Sequence, residues 1–590
     1  MKTLILLLTF MLAAPLILLA QQPVTAAKPD QQDKATKTDS KIPAGVPMLS
    51  PAICGKGTFL FTLGEQPLGR ETFEIKCQPD GGYSASGHTE LKPPAPALDL
   101  NTTLEVDKTG SPISSTAKGV AGGTPFDQSV IVKGSAATVT TNGVAKELPY
   151  TKGTALLGGN IFYMFQFLLA RYDVAQGGAQ QLLAFPNLAV KVEHVAHDQV
   201  KDAPGSVKSA AFDRYSLTVG VTQLIVWVDE KGRLAVIAVP AQNFGAVREE
   251  YVGFTASLKA IVSSKLKSAD IDYSAPSGAP FAAEEVTVQA KGFTLAGTLL
   301  LPKTGKGPFP AVITITGSGQ ETRDEALPIA GLENYRPFRQ VAETLASRGI
   351  AVLRVDDRGV GKSKGIETLE AATSSDFAND VRAQLDYLRS RSDIDPERIA
   401  LVGHSEGGMI APMVAATDPR IRAIVLMAGT AKRGDAIILY QMNEALEQDV
   451  TLTAETRAKK RAEQEEHIHK AVEGGDSSKL PLILRSAWMK EFMAHDPLPM
   501  IRKVRQPILI LQGALDRQVT ADQAAMLEQA AREAGNKDVT ARVFPNLNHL
   551  FLPAKTGAVS EYSSLATNTI SDEVINLLAD WLQQKLAVAK

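Results

Sequence analysis

The chain of 590 residues has little cysteine, no excess of either charge and, past its first twenty residues, no long hydrophobic run. Lys plus Arg number 62 against 64 Asp plus Glu. So even a balance offers no basic face for nucleic acid and no acidic run to gather cations. With no later apolar stretch, nothing beyond the amino terminus is expected to cross a membrane. The two cysteines, Cys54 and Cys77, make a poor metal site by themselves. What remains is 44% hydrophobic and 21% charged, the composition of a folded globular protein. The length exceeds one ordinary domain, so two or three are expected.

The amino terminus reads as an export signal over residues 1–20. Lys2 gives the positive start, Leu4 to Ala20 is apolar, and a small residue closes the run at Ala20. A second cut is available near Ala26 or Ala27. An uncleaved anchor is the alternative, against which Pro15 and the small residues argue. No Cys ends the run, so no lipid anchor is expected. The expected location is periplasmic or secreted, with no membrane span once the signal is gone. Residues 21–51, rich in Gln, Lys, Asp, Thr and Pro without periodicity, read as a flexible tether. Export permits a disulfide. A hairpin of Gly57–Leu63 and Arg70–Lys76, turning around Glu65 to Gly69, would bring Cys54 and Cys77 nearly opposite each other. A structural bridge is expected there; two buried thiols are the alternative.

From 52 to 262 the chain is rich in Thr, Val and Gly, with short alternating segments. Asn142-Gly143 and Glu230–Gly232 punctuate hairpins. One helical stretch, Asn160 to Tyr172, interrupts them. This reads as a mostly antiparallel β domain with no catalytic constellation. Residues 263–283, carrying Ser, Ala, Pro and Gly, read as a linker. Over 284–590 the texture becomes strand–helix alternation. The strands are 311–316, 350–355, 398–402, 423–427, 507–511 and 539–543. A helix at Asp376–Arg391 has Asp376 as its cap. Alternation of this kind means an α/β fold, a mainly parallel sheet with helices on both faces. A hairpin at Glu284–Leu301 makes the sheet mixed. Between about 430 and 505 the alternation gives way to charged helix, which reads as a cap over the strand ends.

Gly403-His-Ser-Glu-Gly407 matches G-x-S-x-G and sits between a strand and a helix, as that turn requires. Ser405 must project from a strained turn, and a Cβ at 403 or 407 would strike backbone there. A serine needs a base, and the base an orienting acid. Downstream lie His467, His469, His495 and His549. His467 and His469 sit in the charged cap helix, and a spacing of two puts them on different faces, so a metal pair is set aside. His549 follows the last strand and is the expected base. Asp516, at the end of the preceding strand, is the expected acid; Asp522 reads as a surface or capping residue. The oxyanion donors are expected to be the amide of Glu406 and that of Ser318 or Gly319. Gly359–Ser363 looks like the end of a phosphate loop, but the required first glycine is Asp356, so nucleotide binding is not expected. No metal or organic cofactor is expected.

Thr316–Asp324, Asp357–Ser363, Gly403–Gly408, Asp496-Pro497, Gly513–Val519 and Asn548-His549 occur in this order. The set resembles bacterial α/β-hydrolase esterases related to the dienelactone hydrolase and serine aminopeptidase S33-like families, including two-domain esterases with an N-terminal β domain. The resemblance covers roughly residues 284 to 588. It implies ester hydrolysis through an acyl-enzyme, with a triad at Ser405, Asp516 and His549 and a small-molecule ester substrate. Many relatives open the first oxyanion loop with His-Gly, where this chain has Thr316-Gly317. A peptidase acting on short peptides would share the machinery, since preference lies in cap and pocket. A non-catalytic envelope binding protein is the rival from another class.

Overall fold

The computed structural model describes residues 51–587, apart from residues 65, 93–96, 122–123, 186–187, 202–208, 220–221, 240–243, 259–271, 320, 328–331, 333, 366–371, 449–453, 475–479 and 481. The expected signal, most of the tether and the first part of the expected linker lie outside the described residues. The described chain divides into two compact units, one on either side of residues 259–271. Among the described residues, no helix is long and apolar enough to cross a membrane.

The first unit is a sheet of 14 strands, every pairing antiparallel. The first eight strands run as one meander and the last six as another. The first strand, Gly55–Leu63, pairs with the last, Phe244–Arg248, and so joins the two. Strand Leu98–Val106 shows the cause of the sheet directly: buried and exposed residues alternate without a break, the period of two that gives a strand one apolar face. Asn142 and Gly143 both take positive φ, 48° and 83°, between strands that pair Thr141 with Val144, as a two-residue hairpin turn requires.

Two local expectations are corrected here. The first hairpin turns earlier than 65–69, because Leu63 already pairs with Gln66. Gly69, at φ 153°, instead lies where the register slips. The helical stretch is also shorter than 160–172. Asn160 is left-handed, and only a 3-10 turn at Phe162–Met164 and a short α-helix at Phe165–Leu169 form. All eight of those residues are buried. Their aromatic rings pack onto the sheet, Phe162 at 5.0 Å from Phe61 and Tyr163 at 5.8 Å from Phe73. Cys54 and Cys77 are joined by a disulfide, with Cα atoms 5.8 Å apart.

The short helical turn is held by one carboxyl group. Glu71 is wholly buried and accepts from the amides of Phe162 and Tyr163 and from the Thr89 hydroxyl, at 3.0 to 3.2 Å. Burial raises its carboxyl from an ordinary 4.5 to about 8, against the opposing pull of those donors. Because the folded state binds this proton more tightly, the contribution of Glu71 to stability is complete below pH 4.5 and is lost as pH climbs toward 8. The stability of the first unit is therefore expected to fall across that interval by about 1.4 kcal/mol per pH unit, and its melting temperature with it. Glu71→Gln should flatten it; calorimetry across pH checks this.

The second unit is a sheet of eight strands. Its order is Phe281–Ala290, Phe293–Pro302, Ala351–Val355, Phe309–Ile315, Ile394–His404, Ile421–Met427, Ile508–Gly513 and Val539–Phe544. The first two strands and the Phe293–Pro302 to Ala351–Val355 pair are antiparallel; all later pairs are parallel. The sheet is mixed, as expected. Its parallel strands are buried almost throughout, which explains their continuous Val, Ile and Leu runs. One helix start is corrected: the helix runs Ser374–Arg389, capped by Thr373, while Asp376 closes a capping box as its third residue. Between Ile421–Met427 and Ile508–Gly513 come the cap helices Gly434–Gln448, Ala454–Glu473, Leu482–Arg485, Ala487–Ala494 and Pro497–Ile501.

The chain order reverses between the neighbouring strands Phe309–Ile315 and Ile394–His404. Open α/β sheets leave a crevice at such a switch, beyond the carboxyl ends of the strands.

Candidate active site

Ser405 stands directly beyond strand Ile394–His404, at that crevice, with φ 55° and ψ −116°. This is a strained conformation for a residue with a Cβ, sustained by its surroundings. The turn closes because its glycines lie against backbone. A Cβ on Gly403 would come within 2.1 Å of the Gly407 carbonyl oxygen, and one on Gly407 within 2.1 Å of that of Ile315. The helix Glu406–Ala415 starts at once, so the amide of Glu406 sits in its first turn, where no intrahelical acceptor exists.

Asp516 follows strand Ile508–Gly513, and His549 follows Val539–Phe544. The structure brings them together: Nδ1 of His549 lies 2.7 Å from Oδ2 of Asp516, both residues buried. Asp516 is fixed from every side. Its Oδ1 accepts the amides of Gln518 (2.7 Å) and Val519 (2.9 Å), and its Oδ2 the side-chain amide of Gln512 (2.8 Å). With Nδ1 committed to the carboxylate, Nε2 is the ring nitrogen that can take a proton. The His549 ring lies 4.9 Å, centroid to centroid, from that of His404, the neighbour of Ser405. Asn548 shapes the loop, its side-chain oxygen accepting the amides of Leu550 and Leu552, each at 3.0 Å.

Of the two oxyanion-loop candidates, Ser318 lines the same pocket as Ser405 and Glu406, and Gly319 does not. The neighbouring amide of Gly317 is already spent, donating to Glu325 Oε1 at 2.8 Å. Asp357, beside the stretch that resembles the end of a phosphate loop, holds the candidate oxyanion loop. Its carboxylate accepts the Thr316 hydroxyl (3.2 Å) and the Glu321 amide (2.9 Å). Asp522 begins the helix Asp522–Glu533 and pairs with Lys432. None of the four downstream histidines, His549 included, is among the residues lining the pocket; His467 and His469 lie on helix Ala454–Glu473, where His469 pairs with Glu473.

The pocket at Ser405 lies under Ile437, Ile438 and Gln441 of one cap helix and Trp488 and Phe492 of another, with Thr430 and Val519 completing it. Sequence reading missed how cap and elbow are joined. The indole N–H of Trp488 donates to the buried carboxylate of Glu406 at 2.9 Å, and the Ser374 hydroxyl donates to the same group at 2.5 Å. No local pattern announces a contact across 82 residues.

The model of the serine aminopeptidase S33 family matches residues 331–554, a stretch holding Ser405, Asp516 and His549. This stretch has an α/β-hydrolase fold. Esterase EstD of Thermotoga maritima is 25% identical over 306 residues, which are 51% of this hydrolase and 68% of EstD. A putative hydrolase, YtaP of Bacillus subtilis, is 30% identical over 174 residues, 25% of this hydrolase and 58% of YtaP. Among solved structures, the Pyrococcus furiosus esterase Pf2001 aligns with a TM-score of 0.35 at 16% identity, covering 54% of the hydrolase and 96% of the esterase.

Proposed function

We propose that this chain is an exported serine hydrolase that cleaves carboxylic esters through an acyl-enzyme. The observation that carries the reading is the buried His549–Asp516 pair at 2.7 Å beside the strained Ser405 turn. Ser405 Oγ attacks the ester carbonyl while Nε2 of His549 takes its proton. The amides of Glu406 and Ser318 receive the oxyanion. His549 then protonates the leaving alcohol, and a water activated by the same nitrogen releases the acid. Asp516 holds the ring tautomer and balances the imidazolium without taking the proton. Export rests on Lys2 and the apolar run to Ala20, and the Cys54–Cys77 bridge accords with it.

The aminopeptidase reading draws on the family description, and the esterase reading on EstD. The pocket favours the ester. An aminopeptidase has to meet the ammonium of its substrate with negative charge. Among the described residues lining this pocket the one carboxylate is Glu406, which already receives Trp488 and Ser374. The apolar walls of Ile437, Ile438 and Phe492 suit a short, uncharged acyl group. Purified protein is expected to turn over p-nitrophenyl acetate and butyrate well, the palmitate poorly, and aminoacyl p-nitroanilides not measurably. Anilide turnover matching that of the esters would overturn the ester assignment.

A further inference from the structure

His404 is wholly buried, and both of its ring nitrogens face acceptors. Nδ1 lies 2.7 Å from Glu325 Oε1, and Nε2 lies 3.0 Å from the main-chain oxygen of His549. A carbonyl oxygen cannot donate, so Nε2 must carry hydrogen. Oε1 of Glu325 also accepts the Gly317 amide at 2.8 Å, as suits an ionised carboxylate. Toward an ionised Glu325 both nitrogens would donate, and a neutral imidazole has only one hydrogen to give. An imidazolium facing a carboxylate matches this arrangement.

This one pair touches three separate loops. Glu325 grips the oxyanion loop at Gly317, His404 belongs to the nucleophile turn, and its Nε2 holds the main chain of the proposed base. Glu325 itself sits at φ 55°, a left-handed conformation that costs a non-glycine residue energy and persists only where the surroundings impose it. We propose that Glu325 and His404 are positioning residues, a charged clamp that fixes the main chain at Gly317 and His549 for hydrolysis at Ser405. The proposal rests on the serine-hydrolase reading above.

The electrostatics agree with the geometry. Burial works against the charged ring, but the Glu325 carboxylate, the His549 carbonyl and the more distant Asp516 outweigh it and hold the His404 pKa above its ordinary value. The titratable groups facing the pair are Glu325, His549 and Asp516, with the Tyr335 hydroxyl nearby, donating to the Leu550 carbonyl at 2.9 Å. As pH rises, His404 loses its proton, one of its two hydrogen bonds loses its donor, and the clamp loosens. Activity should therefore carry an alkaline limb set by His404.

Two measurements test this. In the wild-type protein, the C2–H exchange of each histidine against pH, followed by mass spectrometry, gives the titration of His404 without reference to activity. A midpoint above that of the same histidine in the urea-unfolded protein is expected; one at or below it overturns the clamp. In Glu325→Gln, which keeps the shape and removes the charge, that midpoint and the alkaline limb of kcat should move together to lower pH by about one unit or more. The kcat should fall on the order of tenfold or more with KM little changed, since misplaced reacting groups cost rate rather than affinity. Glu325→Asp, retaining the charge, should restore part of the limb. An unchanged limb and rate in Glu325→Gln would reject the proposal. Should wild-type protein neither cleave esters nor react with a fluorophosphonate, the serine-hydrolase reading fails instead, while the exchange midpoint still judges the pair.

Discussion

Ser405→Ala is expected to abolish fluorophosphonate labelling and to lower ester kcat by on the order of 10⁴-fold or more. The fold should survive. Alanine removes only the Oγ, and the turn is held by the Gly403–Gly407 and Gly407–Ile315 backbone approaches and by the Ser405 amide donating to the Met427 carbonyl at 2.8 Å. The comparison needed is therefore kcat against melting temperature in one preparation. An alanine variant that still labels at the same rate would move the nucleophile elsewhere in the chain and sink the proposed chemistry.

Asp516→Asn is the second large effect, on the order of 10⁴-fold in kcat, because an asparagine keeps the shape but its amide can present hydrogen where the imidazole needs an acceptor. Here the surroundings set which way the amide faces. Oδ1 of Asp516 accepts two backbone amides, so the asparagine oxygen belongs on that side and its NH₂ turns toward His549 and Gln512. The Gln512 side-chain amide, now facing another donor, adds a stability penalty of about 1–3 kcal/mol. Loss of rate with an unperturbed acyl-enzyme burst would contradict this account; loss of both burst and turnover supports it.

The parts of the site that sequence revealed are those encoded locally. G-x-S-x-G names its own strand, turn and helix, and the ends of two later strands deliver Asp516 and His549, which the fold order then pairs. The candidate oxyanion loop is legible as a glycine-bearing strand end, but whether Ser318 or Gly319 faces the pocket is not written in the local sequence. The helix start slipped because Thr373 and Asp376 both suit a cap, and the reciprocal bonds that decide it involve the backbone. What was hidden is non-local. His404 meets Glu325 across 79 residues and the His549 carbonyl across 145, and no periodicity records a contact that only the closed sheet creates. The Trp488–Glu406 link was hidden for the same reason, since it requires the cap to be folded over the elbow first.

That link also sets terms for entry to the crevice. Any motion that draws helix Ala487–Ala494 outward strips an indole donor from a carboxylate that is 1% exposed. Stranding part of a buried charge costs about 1–3 kcal/mol or more, so molecules with that helix displaced form a minority of about 15% or less. A substrate that needs the displaced form binds with an affinity reduced by that fraction. Small molecules that slip past the seated helix escape the penalty, and the enzyme sorts its clients by bulk before any bond is broken.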